Sequence, residues 1–170
     1  MSQIVVAIAD CQVSGRPDHV LVTYALGSCI AIAIHDAKAC VGGLLHFMLP
    51  ESALDPAKAE ANPFIFADTG IPLMQRRLLE AGADRKRLTV QLAGGAQMMD
   101  EKGIFNIGKR NHLAARKLLW KSGIMIHSEA VGGNVSRSVR LDVGSGKVWL
   151  RESAGAEREL CGRATRQGGQ

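Results

Sequence analysis

The apolar residues of this chain come in short runs, each cut off by glycine, proline or an acidic turn. Residues 4–8, 20–24, 30–34, 41–49, 88–92, 124–127 and 147–150 are too short, between such breakers, for ordinary helices and read as strands. Val135, Val139, Leu141 and Val143 alternate with Ser136, Ser138, Arg140 and Asp142, the pattern of a half-buried strand. Gly144-Ser145-Gly146 then turns it into residues 147–150 as a hairpin. Only two segments carry helical spacing. Ile71, Met74 and Leu78 predict a helix over about 70–81, with Asp68 or Thr69 as its cap and Pro72 in its first turn. A second is predicted over about 109–121, ended by Gly123. Residues 51–63 read as a surface loop. So many short strands with two helices predict an α/β-layered (α+β) domain over residues 1–151. Residues 152–170 lose all periodicity and predict a mobile tail.

Composition excludes several classes. With 170 residues, 46% hydrophobic and 22% charged, the chain is neither disordered, collagenous nor a coiled coil. No apolar stretch approaches the roughly 18 to 20 residues of a membrane span, and residues 1–10 lack a signal-peptide pattern. The expected place is the cytosol, without membrane insertion. The net charge of +5 admits a nucleic-acid partner, but seven aromatics in the chain and no binding motif speak against it. The basic clusters at residues 76–87 and 109–121 suit acidic protein surfaces better. Gly94-Gly95 is no nucleotide-binding fingerprint. Neither a cofactor nor a metal site is expected.

Cys11, Cys29, Cys40 and Cys161 form no CxxC or zinc spacing, so free thiols are expected. Cys11 and Cys40 read as packing, and Cys161 as incidental. Cys29 differs because of its neighbours. If residues 30–34 and 41–49 pair as a hairpin, a two-residue loop at Ala37-Lys38 makes paired positions sum to 75. Cys29 then faces His46. A three-residue loop puts Phe47 opposite, with His46 adjacent. Opposed side chains lie roughly 4.5 to 5.5 Å apart at Cβ, within reach of a thiol and an imidazole. His35 lies six residues from Cys29 along one strand, roughly 20 Å away at about 3.3 Å per residue. An imidazole beside a thiol generates the nucleophilic thiolate and protonates a leaving group. Gly27-Ser28 permits a turn whose backbone N–H groups would bind an oxyanion. The plainer alternative is a small core cysteine and a structural histidine.

The motif Leu26-Gly27-Ser28-Cys29, followed by Gly42-Gly43-Leu44-Leu45-His46-Phe47-Met48-Leu49-Pro50, resembles the signature of the chemoreceptor glutamine deamidases, the CheD family. Phe66-Ala67-Asp68-Thr69, Gly94-Gly95-Ala96, Ile107-Gly108-Lys109-Arg110-Asn111, Val131-Gly132-Gly133-Asn134 and Gly146-Lys147-Val148-Trp149 continue the series in order. The resemblance implies a thiol hydrolase that converts receptor glutamine to glutamate, with methylesterase activity as a further option. It implies Cys29 as nucleophile, His46 as base and Thr23 as third member. It also implies a mixed β-sandwich flanked by helices, similar to the deamidase domain of cytotoxic necrotising toxins. The implied partners are the cytoplasmic helices of methyl-accepting chemoreceptors and a CheC-type phosphatase. A regulatory binding module that controls that phosphatase, with deamidation secondary, is the alternative function.

Overall fold

The structure is a computed structural model that describes residues 1–97 and 106–161. Its strands are β1 (Ser2–Val5), β2 (Asp10–Ser14), β3 (His19–Leu26), β4 (Ile30–Asp36), β5 (Val41–Phe47), β6 (Thr89–Gly94), β7 (Ser128–Val131), β8 (Arg137–Asp142), β9 (Val148–Glu152) and β10 (Arg158–Glu159). Its helices are α1 (Pro56–Ala61), α2 (Ala67–Glu80) and α3 (Ile107–Lys121). One sheet runs β1-β3-β8-β9-β10 and the other β2-β5-β4-β6-β7. Both are mixed, because β1 pairs parallel with β3 and β6 parallel with β7. The predicted sandwich of mixed sheets is present, with α2 and α3 packed on the second sheet only.

The period-2 alternation of strands explains the layers. On β4, Ile30, Ile32 and Ile34 face the helices, and on β5 so do Leu45 and Phe47. They meet Ile71, Met74 and Leu78 of α2 and Ala115 and Leu119 of α3. Full burial of each Ile, Leu, Met or Phe side chain among them is worth about 1.5 to 3 kcal/mol. The opposite face carries Ala31, Ala33, Leu44 and Ala93, which pack against Leu21, Leu26, Val139, Leu141 and Leu150 of the first sheet. β4 is buried on both faces, which is why its sequence is an almost unbroken apolar run.

Several expectations are corrected. The β4–β5 pairing is Ile30↔Phe47 and Ala31↔His46, so positions sum to 77, neither 75 nor 76. The connection spans Ala37 to Cys40, with Cys40 in the left-handed region at φ 53°. Asp36 stabilises this longer turn by accepting from the Lys38 and Ala39 N–H groups. β2 falls where no strand was predicted, and the predicted strand at 124–127 gives way to β7, which starts at Ser128. α2 starts at Ala67, ahead of both proposed caps. Asp68 instead accepts from the Ser52 N–H and hydroxyl, and the Thr69 hydroxyl donates to the Pro63 carbonyl. Part of residues 51–63 is helical, as α1. The domain continues past 151: β9 ends at Glu152, β10 pairs back on it, and Leu160 is buried. Of the predicted tail, residues 162–170 lie outside the described residues.

Candidate active site

His46 points into the layer between the two sheets, on the same face of β5 as Leu44. It is fully buried. Thr23 reaches it from β3 of the opposite sheet, with its Oγ1 2.7 Å from His46 Nδ1. A bulge follows directly. β3 and β8 slip register between Thr23 and Leu26, and Ala25 takes φ 57°. The extra residue lets both Thr23 and Leu26 point inward, the kind of re-aiming that bulges beside sites provide.

The hydrogen bonds set the tautomer of His46. Thr23 Oγ1 also lies 2.7 Å from the Val6 carbonyl oxygen, which can only accept. The one hydroxyl proton therefore goes to Val6, and Thr23 Oγ1 must accept from His46 Nδ1–H. Neutral imidazole then carries its lone pair on Nε2. That atom is buried and has no partner among the described residues. Burial pushes the His46 pKa down to about 4, so the ring is an unprotonated base at neutral pH.

Cys29 lies one residue before β4, half-buried, and packs against the same inter-sheet layer. The observed register makes it a diagonal neighbour of His46, not a directly opposed one. Such neighbours are roughly 7 to 8 Å apart, somewhat less at Cβ, within reach of a long side chain. The register correction therefore keeps the two residues on one face. Burial pushes the Cys29 thiol up, opposed in part by a hydrogen bond from its own backbone N–H. Thiol and imidazole both rest neutral, and the resting thiolate–imidazolium pair is not favoured.

Gly27 and Ser28 sit in the connection from β3 to β4. The carbonyls of Gly27 and Cys29 accept from Ala96 N–H at 2.9 Å and Gly95 N–H at 2.8 Å. The Ser28 carbonyl accepts from Asn111 Nδ2 at 3.0 Å. The backbone N–H groups of Gly27, Ser28 and Cys29 donate to no backbone acceptor among the described residues. Gly94 backs this segment closely. Its φ is +112°, and a Cβ there would run into the Cys29 carbonyl. Gly108 likewise lets α3 approach, since a Cβ there would lie 2.5 Å from the Gly95 and Ala96 carbonyl oxygens.

Two buried residues next to this segment had no role assigned from sequence. Asn111 is fully buried on α3, and Arg137 of β8 is nearly so. Arg137 donates to the Gly94 and Gly132 carbonyls at 3.2 and 2.8 Å and pairs with Glu152. The sequence signal for Asn111 was its place on the buried stripe that continues with Ala115 and Leu119. The remaining histidines and cysteines lie elsewhere. His35 Nε2 donates to the Val143 carbonyl at 2.7 Å. His112 pairs with Glu129. Burial pushes the Cys11 thiol up to about 12. Among the described residues no cluster of His, Cys, Asp and Glu could hold a metal ion, and no helix is long and apolar enough to cross a membrane.

Residues 48–152 match the family model described as CheD chemotactic sensory transduction. A relative from Solibacter usitatus, named "Probable chemoreceptor glutamine deamidase CheD", is 54% identical over 99% of this chain and 99% of its own. One from Syntrophus aciditrophicus, named as CheD 1 with the same description, is 49% identical over 94% of this chain and 100% of its own. A CheD 2 of Anaeromyxobacter dehalogenans is 47% identical over 89% and 95%. The family-model match begins two residues after His46, but the Solibacter alignment runs nearly end to end and leaves no room for a different domain around Thr23, Cys29 and His46. The chain belongs to the CheD family.

Proposed function

We propose that this protein is a chemoreceptor glutamine deamidase in which Cys29 is the nucleophile, His46 the general base and acid, and Thr23 the group that orients the imidazole. The observation that carries the reading is the buried, unpartnered Nε2 of His46 on the face it shares with Cys29. A buried lone pair without a donor costs about 1 to 3 kcal/mol, and on a face shared with a thiol it is placed to take a proton. The relatives' names give deamidation as the activity, which makes the phosphatase-controlling module the weaker reading.

The reaction follows from the neutral resting pair. As Cys29 Sγ attacks the side-chain amide carbon, its proton passes to His46 Nε2. The imidazolium that forms is stabilised by Thr23, which keeps accepting from Nδ1–H. The N–H groups of Gly27, Ser28 and Cys29, which have no backbone acceptor among the described residues, stabilise the oxyanion. The carbon–nitrogen bond breaks as His46 returns the proton to the leaving nitrogen, which departs as ammonia. Water then gives a proton to Nε2 and attacks the thioester. Collapse restores the thiol and leaves glutamate. A base that must be neutral is active above its pKa and fails below it. The acid limb of kcat/KM is therefore expected near pH 4, not near 6.5.

The substrate is a chemoreceptor glutamine, as the names of the relatives suggest, and the resemblance places it on the receptor's cytoplasmic helices. A CheC-type phosphatase is proposed as a second partner from the resemblance. The deciding experiment incubates the protein with a chemoreceptor cytoplasmic fragment and follows ammonia and fragment mass. Each event is expected to add about one dalton, as an amide becomes an acid by taking up water and losing ammonia. Cys29→Ala is expected to stay folded and release no ammonia. Release at the wild-type rate would overturn the assignment.

A further inference from the structure

Asn111 bridges the segment that leads into β4 and the one that leaves β5, beside the proposed catalytic pair. Its Nδ2 donates to the Ser28 carbonyl at 3.0 Å and to the Met48 carbonyl at 2.8 Å. Both partners only accept, so the amide nitrogen must face them and the side-chain orientation is unambiguous. Ser28 precedes Cys29, and Met48 lies two residues after His46. The β4–β5 ladder ends at Ile30↔Phe47, so its next positions are Cys29 and Met48. Asn111 takes over from the ladder where its pairing stops.

The Ser28 contact has a second consequence. No peptide bond of the described chain is cis. In a trans peptide the C=O and the following N–H point to opposite sides. A Ser28 carbonyl drawn toward α3 sends the Cys29 N–H away from α3. That is the side of the inter-sheet layer, against which Cys29 packs. The same N–H has no backbone acceptor among the described residues. Its direction depends on a side chain from a distant helix, because no backbone donor holds the Ser28 carbonyl.

We propose that Asn111 is a positioning residue for the deamidation. Through Ser28 it orients the Cys29 N–H as an oxyanion donor, and its second bond, to the Met48 carbonyl, fixes the amide in that orientation. This inference rests on Cys29 being the nucleophile. Asn111 itself touches no reacting atom.

The test separates acyl transfer from thiol access. Ammonia release from the receptor fragment gives kcat and KM, and alkylation by iodoacetamide, read by mass at the Cys29 peptide, gives thiol reactivity. Alkylation displaces iodide and forms no oxyanion. Asn111→Ala is expected to lower kcat on the order of 10²-fold, with KM and alkylation rate within about threefold of wild type. Asn111→Asp keeps the side-chain volume, removes the amide donors and is expected to show the same split. All rates are referred to the folded fraction from the melting curve. The inference is overturned if either folded variant keeps kcat within about threefold, or if kcat and alkylation fall together, as a general loss of structure would cause. Cys29→Ala serves as control. If it still releases ammonia, the nucleophile assignment fails. If it is inactive while both Asn111 variants are not impaired, only the role of Asn111 fails.

Discussion

The β4–β5 hairpin carries a buried histidine at each end, and the two ends are built on opposite principles. At the turn end, His35 bonds the Val143 carbonyl and the buried Asp36 accepts five hydrogen bonds, from Lys38, Ala39, Asp84 and twice from Arg87. At the open end, His46 Nε2 and Asn111 Oδ1 are buried without partners among the described residues. Buried polar groups are nearly always satisfied, so the unsatisfied end is the one that needs a reason. A closed set of hydrogen bonds holds a turn. An open set leaves a lone pair, as the proposed proton transfer requires.

Exchanging the treatment of the two ends gives the largest predicted contrast. His46→Asn is expected to cut ammonia release by about 10⁴ to 10⁶ in kcat while the melting temperature stays near wild type. His35→Asn is expected to lower the melting temperature and spare the kcat of the folded fraction. A His35 variant that folds well and is inactive would break the distinction.

Asp36→Ala attacks the closed end through its charge. It takes from Arg87 one of its two carboxylate partners, leaving Asp84, and removes the acceptor of three backbone N–H groups. At about 1 kcal/mol for each backbone hydrogen bond, a loss of about 3 kcal/mol is expected. Chemical denaturation should show that loss with kcat per folded molecule unchanged.

The two ends should also titrate apart. The His46 pKa is depressed from 6.5 to about 4, so the unfolded chain binds the proton more tightly. Its contribution is complete above pH 6.5 and is lost as pH falls from 6.5 to 4, by about 3 kcal/mol. Burial alone would raise the Asp36 carboxyl. The Arg87 guanidinium and the N–H groups of Asp84 and Ala39 outweigh it and hold the carboxyl well below the usual range. Its contribution is therefore complete above the ordinary Asp value of 3.8 and is lost only below it. Unfolding free energies across pH should show the upper window vanish in His46→Asn and the lower one persist.

The smallest expected effect belongs to Thr23→Val. It removes the acceptor for Nδ1–H and the donor to Val6 but keeps the shape. A fall of about 10- to 100-fold in kcat is expected, because the free ring can adopt the wrong tautomer. The acid limb should shift with it. An unchanged pH profile and rate would show that packing alone orients His46.

The proposed pair is more legible in the sequence than its geometry. Cys29 and His46 stood out as residue types on facing segments, and the wrong loop length did not separate them. A shift of the paired sum from 75 to 77 changes which residues oppose but keeps parity, so both stay on one face. A sum of 76 would have inverted that. The spacing does not disclose the longer loop, because its last residue, Cys40, takes a left-handed conformation that its side chain does not advertise. β2 was missed because Asp10, Gln12 and Ser14 dilute its apolar pattern. The role of Asn111 was invisible, since its two partners lie 83 and 63 residues away.

By itself the sequence determined the strand-rich layered class, the two main helices and the thiol and imidazole on one hairpin. These follow from local periodicity, breakers and spacing, which act over a few residues. Only the tertiary structure decided the register, the seating of Thr23 across the sandwich, the tautomer of His46 and the neutral state of the pair. Each of these depends on a partner from another sheet or helix, or on burial that no single segment can provide. A lone pair without a donor exists only after the rest of the chain has closed around it.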